Sequence, residues 1–341
     1  MPQIFKTSAF ERLQTFLNKK NYSNKIERLT PDASTRNFFR IILSDKTAIA
    51  CVYAETFDET LSQIDVTKLF LSCILPVAEI FEIDYERGII IHQDFGDKIL
   101  RDFLEKTDAE TKDKLLNQAI SLIAKIQSST DEAFRQNSIA SKLKFDEEKL
   151  LWELNFFKTH YFESFLQKPL DKKMEENLTE EFSELSRELE TFAKVLTHRD
   201  FHAANLMLDD KKNLKIIDHQ DARIGSIAYD LVSLVLDRIT EIPSQEWLEN
   251  KKNYFLNERE KLGLEKIKIE EFNYEFDLMT IQRCLKAIGT FSFQAANFDK
   301  THFVKYIDPM FQAVVEASQR LQRFPNLQRI IKNNIGNFYE K

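Results

Sequence analysis

The chain has 341 residues, and 43% of them are hydrophobic, enough for a sizeable core or two. Its formal net charge of −7, with no visible basic patch, argues against a nucleic-acid partner, and no apolar run reaches the length needed to cross a bilayer. The N-terminus lacks a continuous apolar signal core, and Cys51, Cys73 and Cys284 are scattered without metal-ligand spacing, as expected for reduced thiols in a cytoplasmic protein.

Ser8 and Glu11 read as a capping box that opens an amphipathic helix with Phe10, Leu13, Phe16 and Leu17 on one face. Strand-like runs follow at residues 25–29, 37–43 and 47–53, joined by turns at 31–34 and 44–46, which predicts an antiparallel sheet. Apolar spacing predicts a helix over 56–73, then strands at 78–85 and 88–92. Gln93-Asp94-Phe95-Gly96-Asp97 reads as a hinge that divides a sheet domain, 1–97, from a helical one, 98–341. A short helix is expected at 99–104, then a longer one capped by Thr107 with Glu110, its apolar face including Leu116, Ile120, Ile123 and Ile126. Residues 144–166 carry Trp152, Phe156, Phe157, Tyr161 and Phe162 at near-helical spacing, a stripe expected in a core. Residues 171–190 are so charged that they read as a solvated helix or connector.

The next stretch, Leu196 to Asp221, carries the chemistry. His198-Arg199-Asp200 is followed at fixed spacing by Asn205, matching H-R-D-x-x-x-x-N. Residues 205–208 and 214–218 read as two short strands around a polar turn, so that one hairpin would bring Asn205 and Asp218 together. A phosphoryl-transfer centre needs hard oxygen ligands for Mg²⁺, which Asn205 and Asp218 could supply, and a carboxylate such as Asp200 to position an acceptor hydroxyl and take its proton. His198 and Arg199 would hold the loop. His202 and His219 flank these positions, but Mg²⁺ prefers oxygen and zinc spacing is missing, so they are expected as hydrogen-bonding scaffolds or acceptor-side contacts. Helices are expected at 228–239, with Asp230 near an N-terminus that favours a carboxylate, and at 244–262, 269–285 and 304–324. The pattern is α+β.

Protein kinases continue with Asp-Phe-Gly, whereas this chain has Asp218-His219-Gln220-Asp221-Ala222 and then Tyr229-Asp230-Leu231-Val232-Ser233-Leu234. That departure resembles the aminoglycoside phosphotransferase and choline kinase superfamily, whose members phosphorylate small molecules. Within it the chain is similar to the N-acetylmuramate and N-acetylglucosamine anomeric kinases of bacterial cell-wall recycling. The matching segments are 32–40, 93–97, the central run and 285–291, spread over nearly the whole length. The resemblance implies a two-lobed protein-kinase-like fold, with an antiparallel β-sheet N-lobe and a mainly α-helical C-lobe. It implies ATP, Mg²⁺ and a small-molecule amino sugar as partners, and the sugar's 1-hydroxyl as acceptor. Asp200 would be catalytic, Asn205 and Asp218 would hold metal, and Asp230 would brace the catalytic loop beside His198 and Arg199. Ser34, Thr35, Arg36, Arg40, Gln93, Asp94 and Phe95 would face the nucleotide; His202, His219, Gln220, Asp221 and Arg223 would lie on the acceptor side, and Trp152 and Glu153 would flank the acceptor cleft.

Two departures stand out. The phosphate-covering turn at 31–35 has no glycine, and the strand at 47–53 has no interior lysine to meet the α- and β-phosphates, so Arg36 or Arg40 would have to replace it. Arg223, Arg238 and Lys286 are candidates for a cation facing an acceptor carboxylate. The alternatives are a superfamily kinase for choline, homoserine, a methylthio-sugar or an aminoglycoside, and a non-catalytic nucleotide-binding module that uses the same fold.

Overall fold

The computed structural model describes residues 5–29, 36–43 and 45–333. Contacts divide the chain into two compact units, Met1–Asp108 with Ala203–Asp221, and Ala109–His202 with Ala222–Lys341. The expected division was a single cut after residue 97; here the 203–221 segment groups with the first unit instead.

In the first unit, Ser8 and Glu11 form the reciprocal capping box that starts helix α1, Ala9–Lys19. Strands β1 (Ile26–Leu29), β2 (Asn37–Leu43), β3 (Lys46–Val52), β4 (Ile80–Asp84) and β5 (Ile89–Gln93) make one sheet in the order β1-β2-β3-β5-β4, antiparallel throughout. Register explains the packing. Phe39 faces Ala50, Ile41 faces Ala48, and Val52 faces Ile89, so these residues share one side of the sheet and close over Leu13, Phe16 and Leu17 of α1. Alternation then assigns Phe38, Arg40, Ile49, Cys51 and Tyr53 to the opposite side. Helix α2 is shorter than expected, Ser62–Ser72, and is anchored by the fully buried Ile64, Val66, Leu69 and Phe70.

The hairpin of Leu206–Leu208 and Leu214–Ile216 belongs to this unit. Leu208 N donates to Lys98 O at 2.8 Å and Ile216 N to Pro76 O at 2.9 Å, so the hairpin is tied to the backbone on both of its strands.

The second unit is helical apart from the two-stranded ladder of Val195–Thr197 with Arg223–Gly225. Its centre is the helix Ile269–Phe298, longer than the expected 269–285, which packs against Glu147–Lys158, Tyr229–Leu236 and Ile307–Leu321. Gly289 permits the closest approach, because a Cβ there would stand 2.7 Å from Phe157 Cα. The aromatic stripe is core only in part: Phe157, Tyr161 and Phe162 are buried, with Phe157 and Tyr161 stacked at 5.5 Å and Tyr161 in a π-helical turn over 159–165, whereas Phe156 is half-buried and Trp152 lies at the surface.

The charged segment forms the helix Lys172–Phe192 and is not a solvated face all round. Leu178, Phe182, Leu185 and Leu189 are buried, and buried Glu181 accepts from Asn326 N and Leu327 N to cap the helix Pro325–Lys332. Among the described residues no helix is long and apolar enough to cross a membrane.

Candidate active site

Within the first unit, Ile217 N donates to Asn205 O at 3.1 Å and closes the hairpin, so Asn205 and Asp218 stand at the same end of it. Asp218 adopts a left-handed backbone, φ 62°, which turns its carboxylate out of the strand direction. Its Oδ1 accepts from Arg36 Nη2 at 3.1 Å and from Gln220 Nε2 at 2.9 Å, and 42% of the side chain is exposed. Both contacts use one oxygen, leaving the lone pairs of Oδ2 for a cation. A carboxylate and an amide oxygen form a hard donor set that fits Mg²⁺, which completes its shell with water and phosphate oxygens.

Arg36 and Arg40 have different surroundings. Arg36 Nη1 reaches Gln63 Oε1 on α2 at 3.2 Å, and its guanidinium lies over the rings of Phe38 and Tyr53. Burial pushes the nearby Cys51 thiol up to about 11, so it stays neutral beside this cation. Arg40 is committed elsewhere: its Nε lies 2.7 Å from Asp94 Oδ2 and its Nη2 lies 2.6 Å from Asp97 Oδ1. Asp94 Oδ1 also accepts from Gly96 N at 2.8 Å, which fixes the bend after β5. Gln93 ends that strand, its N–H donating to Glu79 O, and Phe95 lies under the Lys215 ammonium at 5.5 Å.

His219 is buried against α2, with Nε2 2.7 Å from Thr67 Oγ1 and its ring stacked on Phe70 at 5.3 Å. Asp221 is partly buried at the end of the segment. Ser34 and Thr35 fall outside the described residues.

Within the second unit, the loop bearing Asp200 hangs from Asp230. His198 N donates to Asp230 Oδ2 at 2.7 Å and Arg199 N to Oδ1 at 3.1 Å, which holds Arg199 at φ 85°, strained for a side chain with a Cβ. Burial pushes Asp230 up to about 7 in spite of these two bonds.

Asp200 sits in a cationic nest. Lys286 Nζ is 2.7 Å from its Oδ1 and Arg283 Nη2 is 3.3 Å from the same atom, with Arg199 Nε 4.0 Å from Oδ2. Burial would raise this carboxyl, but Lys286, Arg283 and Arg199 outweigh it and hold Asp200 well below the usual carboxylate range. Its side chain remains 25% exposed and thus reachable. Arg283 itself is 2% exposed and also binds Asp237 Oδ2 at 2.8 Å and Ser233 Oγ at 3.0 Å.

Arg238 Nη1 lies 3.0 Å from the ring nitrogens of buried His202, and burial pushes that imidazole down to about 3, so it is neutral. Arg223 is buried over Phe145, 5.2 Å from its centroid. Of the three cations considered for an acceptor carboxylate, Lys286 is therefore the one beside Asp200. Arg283 and Gln63 were not anticipated from the sequence. The only signal for Arg283 was a charge three residues before Lys286, on a helix side whose neighbouring positions Met279, Thr280 and Ala287 are uncharged.

The model of the family described as the phosphotransferase enzyme family matches residues 25–264. A protein of Neisseria meningitidis serogroup B named N-acetylmuramate/N-acetylglucosamine kinase is 29% identical over 264 residues, covering 76% of each chain. One of the same name from Pseudomonas putida is 25% identical over 311 residues, covering 88% of this chain and 85% of the relative. Among solved structures, an ADP-bound aminoglycoside phosphotransferase superposes with a TM-score of 0.56 at 15% identity, covering 90% of this chain and 98% of that one. This last likeness shows the protein-kinase-like fold of those enzymes.

Proposed function

The chain belongs to the phosphotransferase enzyme family, and on that premise we propose that it is an ATP- and Mg²⁺-dependent kinase that phosphorylates the anomeric hydroxyl of an N-acetylated amino sugar. The observation that carries the anomeric assignment is the state of Asp200. A carboxylate held well below its usual range by Lys286, Arg283 and Arg199 is a weak base. It suits an acceptor that gives up its proton readily, and an anomeric hydroxyl is more acidic than an ordinary alcohol. Placement then matters more than basicity, and Asp230 supplies rigidity through the backbone of residues 198 and 199.

In this reading Asn205 and Asp218 hold the metal, which would neutralise phosphate charge. Arg36 takes over from the missing strand lysine, because it combines a partner on α2, Gln63, with a contact to Asp218. Arg40 organises the 93–97 segment through Asp94 and Asp97 rather than meeting phosphate. His202 and His219 hold their surroundings in place as neutral or buried scaffolds. An enzyme that draws on ATP with three free thiols belongs in the cytoplasm.

The test is a ³¹P NMR time course with ATP, Mg²⁺ and N-acetylglucosamine or N-acetylmuramate, run beside Asp200→Asn. A sugar 1-phosphate signal that disappears in the variant is expected. Transfer to neither sugar, or an undiminished rate in Asp200→Asn, overturns the proposal.

A further inference from the structure

A cavity of about 190 Å³ opens within the second unit, lined by Trp152, Glu153, Phe156, Arg199, Lys286 and Thr290. Its walls differ in chemistry. Trp152 is 55% exposed, its ring lies 5.6 Å from that of Phe156 and the Lys149 ammonium stands 3.9 Å from its centroid, so the two rings offer an aromatic face at the surface with a cation beside it.

Opposite in character is Glu153, on the same helix and 1% exposed. Its Oε2 accepts from Gln282 Nε2 at 2.9 Å, but Oε1 has no hydrogen bond among the described residues. The nearest cations to Oε1, Arg199 and Lys149, stand off at 3.8 and 3.9 Å. A buried carboxylate oxygen without a donor is costly, and one that lines a cavity points to a donor arriving with a ligand. Lys286 and Arg199 put two cations on the cavity wall against one carboxylate, Glu153.

We propose that this cavity is the acceptor subsite for an acidic amino sugar. The ring lies on Trp152 and Phe156, an N–H or O–H of the sugar donates to Glu153 Oε1, and a carboxylate pairs with Lys286 and Arg199. The enzyme therefore prefers N-acetylmuramate, which carries a lactyl carboxylate, to N-acetylglucosamine, which does not. This inference rests on the sugar-kinase reading above. Lys286 serves twice in this arrangement, because the ammonium beside Asp200 also holds the substrate's charge.

The experiment compares kcat/KM for the two sugars in the wild type, in Lys286→Met and in Trp152→Ala. The wild type favours N-acetylmuramate by about tenfold or more, and Lys286→Met lowers that ratio by about tenfold, the usual worth of a charge-assisted bond. Because both sugars use Asp200, damage to that carboxylate cancels in the ratio. Trp152→Ala raises KM for both sugars and leaves their ratio unchanged. N-acetylmuramate methyl ester, tested on the wild type, repeats the charge deletion without a mutation and behaves like N-acetylglucosamine. If both sugars are phosphorylated with a ratio that neither Lys286→Met nor the ester alters, the subsite is overturned while the kinase stands. If neither sugar is phosphorylated, the kinase reading fails, and Trp152 fluorescence in a Trp247→Phe background decides the cavity separately. Quenching by N-acetylmuramate that Lys286→Met abolishes supports the subsite, and no quenching by either sugar overturns it.

Discussion

Replacing Asp230 by asparagine is expected to add a positive slope to the stability–pH profile, relative to the wild type, between about pH 4 and 6.5. Asp230 is raised by burial from 3.8 to about 7, so the folded chain keeps a proton there that the unfolded chain has lost. Its contribution is fully present below about pH 4 and is lost as pH rises towards 7. His202 works the other way. Lowered by burial from 6.5 to about 3, it stays neutral when folded while the unfolded chain protonates, so its contribution is present above about pH 6.5 and is lost as pH falls towards 3. Between about pH 4 and 6.5 each state therefore holds one proton on this pair, and the two slopes cancel. Asp230→Asn leaves His202 alone, with a slope of about 1.4 kcal/mol per pH unit, or about 3 kcal/mol across that window, stability rising with pH. His202→Gln gives a similar slope of opposite sign. Urea unfolding at half-unit pH steps, each variant read as its difference from the wild type, isolates the pair from every other titrating group. Profiles parallel to the wild type in both variants would refute the assignment.

Other outcomes follow from particular contacts. Gly289→Ala drives a methyl into Phe157 Cα, a backbone atom that cannot step aside, and is expected to cost about 1–3 kcal/mol, read as a lowered melting temperature; an unchanged melt would show that the two helices separate freely. Arg36→Met should raise KM for ATP about tenfold while KM for the sugar holds steady, and Arg36→Lys should recover part of the loss; equal KM values in all three would remove Arg36 from the phosphates. Glu181→Ala strips two backbone N–H groups of their acceptor at the start of the helix Pro325–Lys332, at about 1–2 kcal/mol, and hydrogen exchange should quicken across that helix before anywhere else.

The parts of this molecule visible in its sequence are those written in local pattern. The capping box at Ser8 and Glu11, the period-two alternation of β2 and β3, and the hairpin between Asn205 and Asp218 each depend on residues a few positions apart. What was hidden depends on partners far along the chain. Gly289 reads locally as a reason to end a helix, yet it continues because Phe157 fills the space a side chain would need. Residues 171–190 look solvated by charge count, while Leu178, Phe182, Leu185 and Leu189 recur at helical spacing and reach the core. Charge density masked the periodicity. In the candidate site, the separation of Arg36 from Arg40 was invisible because the two lie four residues apart, just before β2 and within it; only the positions of Asp94, Asp97 and Asp218 distinguish them. Arg283 was missed because Asp200 and Asp237, the two carboxylates it joins, lie far from it in sequence.

The membership of residues 203–221 in the first unit has a consequence for how the chain is made. A ribosome finishes β5 and the short helix Leu100–Leu104, then has to synthesise roughly 90 residues of the second unit before Leu208 and Ile216 can meet Lys98 and Pro76. At 5–20 residues per second that is a wait of about 5–20 s. Throughout it, the carbonyls of Pro76 and Lys98 and the apolar surface awaiting Leu206, Leu208, Leu214 and Ile216 stay open to water or to a chaperone. A fragment cut at residue 108 would remain in that condition permanently, and one that carries the hairpin on a linker would not.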